Sequence, residues 1–332
     1  MKIERNIIDE AVDNLRKHTG ISIVIEDGKY KHSCFLRIED EKFVIQIKND
    51  ISKGNKGMVI LQSAESSKES GFPVVIITKY IPTEIAAEYR MKGVNYLDVA
   101  GNCTIKQNNL FIQLEGKKKE KINKTNQSRA FQEAGIKIIF QLLSNSENIN
   151  MTYRDLAEIS GVSLGSVGSV LQELIDLHFI LKTKNKKILK NRTKLLERWM
   201  IAYHDVLSPR LLLKRMRFVD KKNLSDWQHI DFSNSNNTIL WGGEPAASIL
   251  TKSSTPSRFT IYTDESWQSL LNKGMTPAED GEIELFKIFW MNKNDSTIVS
   301  PLLIYADLMS SGSDQNIELA KTILESELKH IK

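Results

Sequence analysis

Small polar side chains and one glutamine recur along residues 152–174, which read TYRDLAEISGVSLGSVGSVLQEL. If the second half of this segment is helical, its outward positions are Ser163, Gly165, Ser166, Gly168, Ser169 and Gln172. Only Gln172 is long enough for a bidentate hydrogen bond to a base edge, a geometry that favours adenine. The two glycines cost a helix about 1 kcal/mol each relative to alanine, but they let its backbone approach a partner closely. We predict modest base readout by this helix.

A cluster of lysines follows this segment. Residues 179–183 and 187–189 read as two short strands, and Lys184–Lys186 lie at the turn between them. Side-chain amines at such a tip neutralise phosphates, and the resulting binding weakens as salt rises. The basic residues that we assign to this surface are Lys182, Lys184, Lys186, Lys187 and Lys190.

The spacing around these residues predicts a helix-turn-helix that would position them. Ala157 is small enough for a second helix to cross the first, and Gly161, four positions later, tolerates the positive φ of a turn. Thr152 and Ser163 are the expected N-caps of the two helices, and residues 134–143 form an expected third helix. The apolar positions that would hold these helices together are Leu156, Ile159, Val162, Val167, Val170 and Leu171.

Together with the hairpin, this order of elements predicts a winged helix-turn-helix over residues 129–195 that binds double-stranded DNA. We place Thr152 and Tyr153 in the same interface, and a helix-turn-helix used for protein contact is the alternative. The charge distribution favours DNA. Residues 117–222 hold 22 Lys and Arg against 10 Asp and Glu, whereas the rest of the chain holds 24 against 31. Such a local excess of positive charge is typical of proteins with a polyanionic partner.

Residues 1–115 are predicted to form an α/β domain of uncertain role. Periodic apolar residues predict a helix over residues 1–19, which Gly20 ends. A second helix, capped by Thr83, is expected over residues 83–92, and a polar loop over residues 63–71. Strands are expected at residues 21–25, 34–38, 42–47, 59–61, 73–77, 94–99 and 103–113. Residues 116–128, which have almost no apolar side chains, are predicted to be a basic linker.

A second α/β domain is predicted over residues 224–332. It follows a helical connector at residues 196–223, part of a helical segment expected to run over residues 192–222. Residues 233–237 read as a loop, and the expected strands are residues 238–241, 259–262 and 283–289. The expected helices are residues 242–250, 266–271 and 316–328. The predicted fold class is therefore a mixed α+β, multidomain α/β protein.

Two segments have the outline of enzyme sites but lack the required carboxylates. Gln46 and Lys48 have the E-x-K spacing of restriction-type nucleases, which leaves open a degenerate restriction-endonuclease-like fold for the first domain. Gln46 replaces the glutamate, and a neutral amide is a poor Mg²⁺ ligand. Asp264 and Glu265 are adjacent on a predicted strand, so they would point to opposite faces and cannot act as a nucleotidyltransferase D-x-D pair. We predict that the protein is not an enzyme, with a metal-dependent nuclease or nucleotidyltransferase as the alternative.

Nothing in the sequence indicates a metal or cofactor, and we expect none. Cys34 and Cys103 have no metal-ligand spacing and cannot form a disulfide framework, so free thiols are expected. No apolar run approaches the length of about 18 residues that a membrane span needs. The N-terminal residues are charged throughout, unlike a secretory signal. We expect a cytoplasmic protein with no membrane partner.

Three stretches resemble the AbiEi family, the transcription-regulator antitoxins of type IV toxin–antitoxin systems. They are GVNYLDVAGNCTI at residues 93–105, GGEPAASILTKSSTPSRFTIY at 242–262 and PLLIYADLMSSGSDQNIELA at 301–320. The resemblance implies a DNA-binding regulator that represses its own promoter. It also implies a C-terminal domain that counteracts a nucleotidyltransferase toxin without forming a stable complex with it. A stand-alone regulator with no toxin is the alternative.

The resemblance also singles out residues in the C-terminal motifs: Gly242, Gly243, Glu244, Tyr305, Ala306, Asp307 and Leu308. We expect a structural role for them. Glycine at a strand–helix turn permits tight packing, and Asp307 or Asp314 would cap the closing helix. A contact role is the alternative. Many antitoxins of this type begin with the winged helix, whereas about 115 residues precede it here, so the role of the first domain stays open.

Overall fold

A computed structural model describes residues 2–27, 34–118, 128–183, 186–220, 222–230, 232, 238–252, 255–291 and 296–331. The protein has the mixed α/β architecture that the sequence predicts. It divides into two compact units, Met1–Thr125 and Asn126–Lys332. Within the described ranges, no helix is both long enough and apolar enough to cross a membrane.

Runs of helices and runs of strands follow one another along the chain. The α-helices are α1 (Lys2–Thr19), α2 (Lys56–Ser70), α3 (Thr83–Met91), α4 (Glu133–Ser144), α5 (Tyr153–Ser160), α6 (Leu164–Asp176), α7 (Arg192–Ala202), α8 (Ser208–Leu211), α9 (Lys222–Ser225), α10 (Gly243–Thr251), α11 (Pro301–Ser311) and α12 (Asp314–Ser326). The strands are β1 (Ile23–Asp27), β2 (Cys34–Ile38), β3 (Glu41–Lys48), β4 (Val74–Thr78), β5 (Asn95–Asp98), β6 (Cys103–Gln107), β7 (Leu110–Leu114), β8 (Ile180–Lys182), β9 (Lys187–Leu189), β10 (Leu212–Phe218), β11 (Ile239–Gly242), β12 (Phe259–Thr263), β13 (Met275–Pro277) and β14 (Ile283–Lys287).

The first unit is built on a sheet whose strands β1 to β7 lie side by side in chain order. Strand β3 is parallel to β4 and β4 to β5, and the other neighbours are antiparallel. All five side chains of β4 are buried because helices cover both faces of the sheet, as the continuous apolar run predicts. Val75 and Ile77 pack on the side of α1, whereas Val74 and Ile76 pack on the side of α3.

Several predictions for the first unit differ from the structure. Residues 103–113, expected as a strand, contain the antiparallel pair β6 and β7. The largest difference concerns α2. Helix α2 occupies residues 56–70, where the sequence predicted a strand at 59–61 and a polar loop at 63–71. The helix buries Met58, Val59 and Leu61 near its start, and the Ser-rich and Glu-rich remainder lies on its exposed or half-buried side. Gly71 then ends the helix in the left-handed conformation, at φ 72°. The polar composition therefore belongs to the half-buried and exposed C-terminal half of a surface helix and not to a loop.

A smaller difference concerns the start of α3. Pro82, and not Thr83, occupies its N-cap position, and no side chain caps this helix. Thr83 is already inside the first turn, where proline at the cap fixes the entry of the chain.

The second unit contains a five-stranded sheet in the order β11-β12-β14-β10-β13. Strands β12 and β14 are parallel, and the other pairs are antiparallel. Strand β10 lies within residues 192–222, which the sequence predicted to be helical throughout. Met216 and Phe218 are buried while their neighbours Arg215 and Arg217 are exposed, which is the period of a half-buried strand. The helical part ends instead at Leu211, after a π-helical turn at Tyr203–Leu207.

Helices α4, α5 and α6 and the hairpin β8–β9 precede this sheet in the same unit, in the order that the sequence predicts. The hairpin register pairs Ile180 with Leu189 and Lys182 with Lys187. These elements pack directly on the C-terminal part of the unit. The ring of Phe140 in α4 lies 5.0 Å from that of Phe289. We call residues 128–190 the three-helix–hairpin segment.

Candidate functional site

The turn between α5 and α6 has the geometry that its sequence predicts. The Thr152 hydroxyl caps α5 by accepting a hydrogen bond of 3.1 Å from the Asp155 amide. Gly161 follows α5 with φ 61°, and Ala157 is buried inside the helix. Ser163 occupies the N-cap position of α6, but its hydroxyl lies 2.8 Å from the Ser166 hydroxyl and caps no amide. The expected cap is therefore right in position and wrong in its hydrogen bond.

The outward face of α6 carries the residues predicted to read bases. Ser163, Gly165 and Gln172 are exposed, and Ser166 and Ser169 are half-buried. The Gln172 side chain donates from Nε2 to Asp176 Oδ1 at 2.9 Å. This bond uses one of the two Nε2 hydrogens, so the second hydrogen and Oε1 remain for a contact with a base.

Tyr153 connects α6 to the hairpin. A side chain at Gly168 would lie 3.6 Å from the Tyr153 ring, so the ring covers this part of α6. The Lys187 ammonium lies 5.0 Å from the centre of the same ring, within the range of a cation–π contact. The Lys187 amide also donates to Asn150 Oδ1 at 3.0 Å. Tyr153 therefore holds the hairpin and the helix side by side, and it keeps 42% of its own surface exposed.

The hairpin presents most of its lysines to solvent. Lys182, Lys186 and Lys190 are exposed, and Lys187 is half-buried against Tyr153. Lys184 lies outside the described residues. The turn is closed next to Lys186, whose carbonyl accepts from the Thr183 hydroxyl at 2.8 Å and whose amide donates back to that hydroxyl at 3.1 Å.

The same surface contains two exposed residues that the sequence interpretation missed. Arg154 is the second residue of α5, and Leu164, 52% exposed, is the first residue of α6. A cation there suits a phosphate, and an apolar side chain suits a thymine methyl group. Leu164 directly follows the cap Ser163, and this position was an available signal because the N-terminal residues of a recognition helix reach base edges most easily. Arg154 lies two positions after the cap Thr152, in the first turn of α5, and its charge was the available signal.

The C-terminal motif begins with two glycines that close packing requires. A Cβ at Gly242 would lie 2.6 Å from the Tyr262 ring, closer than atoms can approach. Gly243 has φ 49°, and its Cβ would lie 2.7 Å from Thr260 Oγ1. The pair lets β11 turn into α10 directly against strand β12, as the predicted structural role requires.

Glu244 of α10 forms hydrogen bonds with the residues before β12 and with α12. Its Oε2 accepts from the Ser257 amide at 2.6 Å and from the Arg258 amide at 3.0 Å, at the entrance to β12. Its Oε1 accepts from Asn316 Nδ2 of α12 at 2.9 Å. These bonds engage both carboxylate oxygens inside the fold.

Asp307 belongs to a buried hydrogen-bonded chain. The Tyr262 hydroxyl donates to Asp307 Oδ2 at 3.2 Å, and the Tyr203 hydroxyl lies 2.8 Å from that of Tyr262. Burial raises the pKa of both phenols well above the ordinary tyrosine value, and the nearby Asp307 carboxylate raises them further. Tyr305 is fully buried in the same helix, α11.

The expected aspartate cap of α12 is wrong. Ser313 occupies the N-cap position, and its hydroxyl accepts from the Asn316 amide at 3.2 Å. Asp314 is the first residue inside the helix, so its carboxylate lies in the first turn and not at the cap.

The two segments with the outline of enzyme sites are engaged in local hydrogen bonds. Lys48 Nζ donates to Gln62 Oε1 at 2.5 Å. Asp264 follows the last residue of β12, so it is not on the strand as predicted, and it accepts from the Thr238 amide at 2.8 Å. Among the described residues, no group of three or more His, Cys, Asp or Glu is arranged to hold a metal ion.

Comparison with known proteins found a family match for the C-terminal part of the chain. Residues 187–329 match the model of a family described as transcriptional regulator, AbiEi antitoxin, Type IV TA system. The match runs from β9 through α12, so it includes two of the stretches that carried the resemblance and leaves residues 93–105 and helices α4 to α6 outside. Searches of curated proteins and of solved structures found no match. The resemblance seen in the sequence is therefore confirmed for residues 187–329, over which this chain is similar to the AbiEi antitoxin regulators.

Proposed function

We propose that the three-helix–hairpin segment is a winged helix that binds double-stranded DNA, and that the protein regulates its own promoter. The observation that carries this proposal is the joint surface of α6 and the hairpin, held together by Tyr153. It places exposed lysines beside a helix whose outward side chains are small and polar. A surface of this kind combines phosphate neutralisation with access of the helix backbone to a groove.

The family match supports a second part of the proposal. The C-terminal region counteracts a nucleotidyltransferase toxin, as the AbiEi resemblance implies, and it does so without a stable complex. The turn at Gly242 is closely packed, and both oxygens of Glu244 accept hydrogen bonds within the fold. We therefore propose that these residues stabilise the fold and do not contact a partner. We propose two functional divisions within the second compact unit. Residues 129–195 bind DNA, and residues 224–332 carry the antitoxin activity.

For the first unit we propose a restriction-endonuclease-like fold without nuclease activity. Helix α1 precedes three antiparallel strands, and α2 then leads to β4, which is parallel to β3. Gln46 stands on β3 where a nuclease of this class needs a carboxylate. Incubation with supercoiled plasmid and Mg²⁺ should give no cleavage above buffer. Cleavage that Lys48→Ala abolishes would overturn this assignment.

The DNA-binding proposal is tested by gel shifts on the protein's own upstream DNA and on a scrambled duplex, over a series of salt concentrations. We expect preferential binding to the upstream DNA that weakens steeply with salt. The double variant Lys182→Ala/Lys186→Ala should lose most of this binding. The matched control Lys287→Ala/Lys329→Ala removes the same charge from exposed positions elsewhere in the unit and should retain it. Equal losses in the two variants, or no binding at low salt, would refute the proposal.

The antitoxin activity is tested by co-expression with a nucleotidyltransferase toxin of a type IV system. The full chain should restore growth, and the Lys182→Ala/Lys186→Ala variant should do so as well when it is expressed from an unrelated promoter. A toxin that only the DNA-binding form neutralises would show that the two activities are not separable.

A further inference from the structure

Leu164 is an exposed apolar side chain at the start of α6. It is the first residue of this helix, directly after the N-cap Ser163, and 52% of its surface is exposed. The apolar side chains that hold α6 in the unit lie further along the helix and are buried, namely Val167, Val170, Leu171 and Leu174. Leu164 therefore stays outside the core and can contact a partner.

Leu164 lies on the side of α6 that carries Tyr153 and the hairpin. Residues four positions apart share one side of a helix, so Leu164 is one turn away from Gly168 on the same side. The Tyr153 ring lies 3.6 Å from the position of a Cβ at Gly168, and the Lys187 ammonium lies 5.0 Å from the centre of that ring. A Cβ at Gly165, the residue after Leu164, would meet nothing within 4 Å. The proposed DNA-binding surface therefore includes Leu164, with open space beside it.

The chemistry of a leucine side chain restricts what it can recognise in a groove of DNA. It has no hydrogen-bonding group, so it distinguishes bases only by apolar contact. In the major groove the four standard bases present hydrogen-bonding groups, and thymine alone adds a methyl group, at C5. The N-terminal residues of a recognition helix are the ones that contact base edges. We infer that Leu164 is a specificity-determining residue that contacts the C5-methyl group of a thymine in the upstream DNA. This inference rests on the proposed DNA binding.

The test begins by replacing single thymines of the upstream duplex with uracil. Uracil lacks the C5-methyl group and keeps the hydrogen-bonding groups of thymine, so the replacement isolates the methyl contact. Fluorescence anisotropy on a set of duplexes, each with one replacement, should show a position at which the wild type binds about fourfold more weakly, the value expected for burial of one methyl group. At this position Leu164→Ala should bind the thymine and uracil duplexes equally.

A second pair of duplexes tests the methyl group in a different base. With a C·G pair at the same position, 5-methylcytosine should bind the wild type more tightly than cytosine does, again by about fourfold. Leu164→Ala should not distinguish these two duplexes.

Leu181→Ala is the matched control. It removes an exposed apolar side chain of the same type from β8, where 49% of the leucine surface is exposed. This variant should keep the wild-type ratio of thymine to uracil affinity at the position that depends on Leu164. Each ratio compares two duplexes with one protein, so a small change in the folded fraction of a variant cancels.

Each other result has a definite meaning. A wild-type protein that binds every uracil duplex as tightly as the thymine duplex would overturn the inference. A Leu164→Ala variant that keeps the wild-type ratio at every position would overturn it as well, because another residue would then make the contact. Equal binding of the cytosine and 5-methylcytosine duplexes by the wild type would contradict a contact made through the methyl group. Absence of binding to all duplexes would instead refute the DNA-binding proposal itself, which separates the two failures.

Discussion

Alanine at Gly165 should stabilise the protein and weaken its binding to DNA. Gly165 is the second residue of α6, and a Cβ placed there meets nothing within 4 Å. Its backbone is also free of the positive φ that would strain alanine. Glycine in a helix is unfavourable relative to alanine because it loses more backbone freedom on folding. Glycine at this open helix position therefore lowers stability without relieving any steric contact, and we expect its lack of a side chain to permit close approach to DNA.

The two effects can be given magnitudes. Replacing glycine by alanine at a compatible helical position stabilises a protein by about 0.4–1 kcal/mol. For a unit of roughly 200 residues this raises the melting temperature by about 1–4 °C. If the backbone at Gly165 lies against the groove, the added methyl group displaces the helix and should cost about tenfold in affinity, or 1.4 kcal/mol.

Gly168→Ala is the control within the same helix. Its Cβ would lie 3.6 Å from the Tyr153 ring, which is ordinary van der Waals contact, so the methyl group is covered by the protein. This variant should gain similar stability and lose little affinity. Differential scanning calorimetry of the full chain measures the first effect, and fluorescence anisotropy on the upstream duplex measures the second.

The outcome that refutes the reasoning is specific. Equal affinities of the wild type and Gly165→Ala would show that this face of α6 does not approach DNA closely. A melting temperature that falls in Gly165→Ala would show that the open space and relaxed backbone at this position do not determine how the substitution changes the stability of the protein. Equal losses of affinity in both glycine variants would mean that helix flexibility matters and not the shape of the surface.

Three further predictions concern stability and salt dependence. Gly242→Ala should destabilise the protein by about 1–3 kcal/mol in urea unfolding, because its methyl group would overlap the Tyr262 ring; wild-type stability would contradict this packing. Tyr262→Phe removes the hydroxyl between Tyr203 and Asp307 and should cost about 1–3 kcal/mol. The pKa values of Tyr203 and Tyr262 are raised in the native state. Their contribution to the free energy of unfolding is therefore complete below pH about 10 and should decline as the pH rises above it. This decline should be smaller in the Tyr262→Phe variant. Lys190→Ala should reduce the slope of log affinity against log salt by about 0.9 if it contacts one phosphate, and an unchanged slope would place Lys190 outside the interface.

Local sequence patterns were sufficient for many of the elements. Helix α1, strand β2 and strand β4 match their predicted positions closely. The spacing of their apolar residues along the sequence is enough to predict which of their faces are buried. The turn at Gly161 was predictable for a similar reason, since positive φ is a property of the residue itself. Helix α2 was not predicted because its buried residues are confined to its first half, which leaves a polar stretch with no apolar period.

Strand β10 could not be predicted because its formation depends on residues that are distant in the chain. Its residues LLKRMRF suit a helix as well as a strand, and the long basic side chains between them obscure the alternating burial of Met216 and Phe218. The strand is stabilised by its neighbours β13 and β14. Arg215 donates to Glu284 and Arg217 to Asp280, across the sheet or at its edge. These partners are 69 and 63 residues away in the chain, so local propensity could not decide the outcome.

The same distinction between local sequence and distant contacts applies to the candidate site. The sequence alone determined which side chains carry charge, which can hydrogen-bond and where the helix-turn-helix begins, because these are properties of residue type and short-range spacing. Only the tertiary structure decided which hydrogen-bonding groups remain for a partner. Asp176 engages one Nε2 hydrogen of Gln172, and two segments, residues 257–258 and α12, engage both oxygens of Glu244. A hydrogen bond is set by distance and direction in space, and for Glu244 the partners lie on loops and helices that only folding brings together.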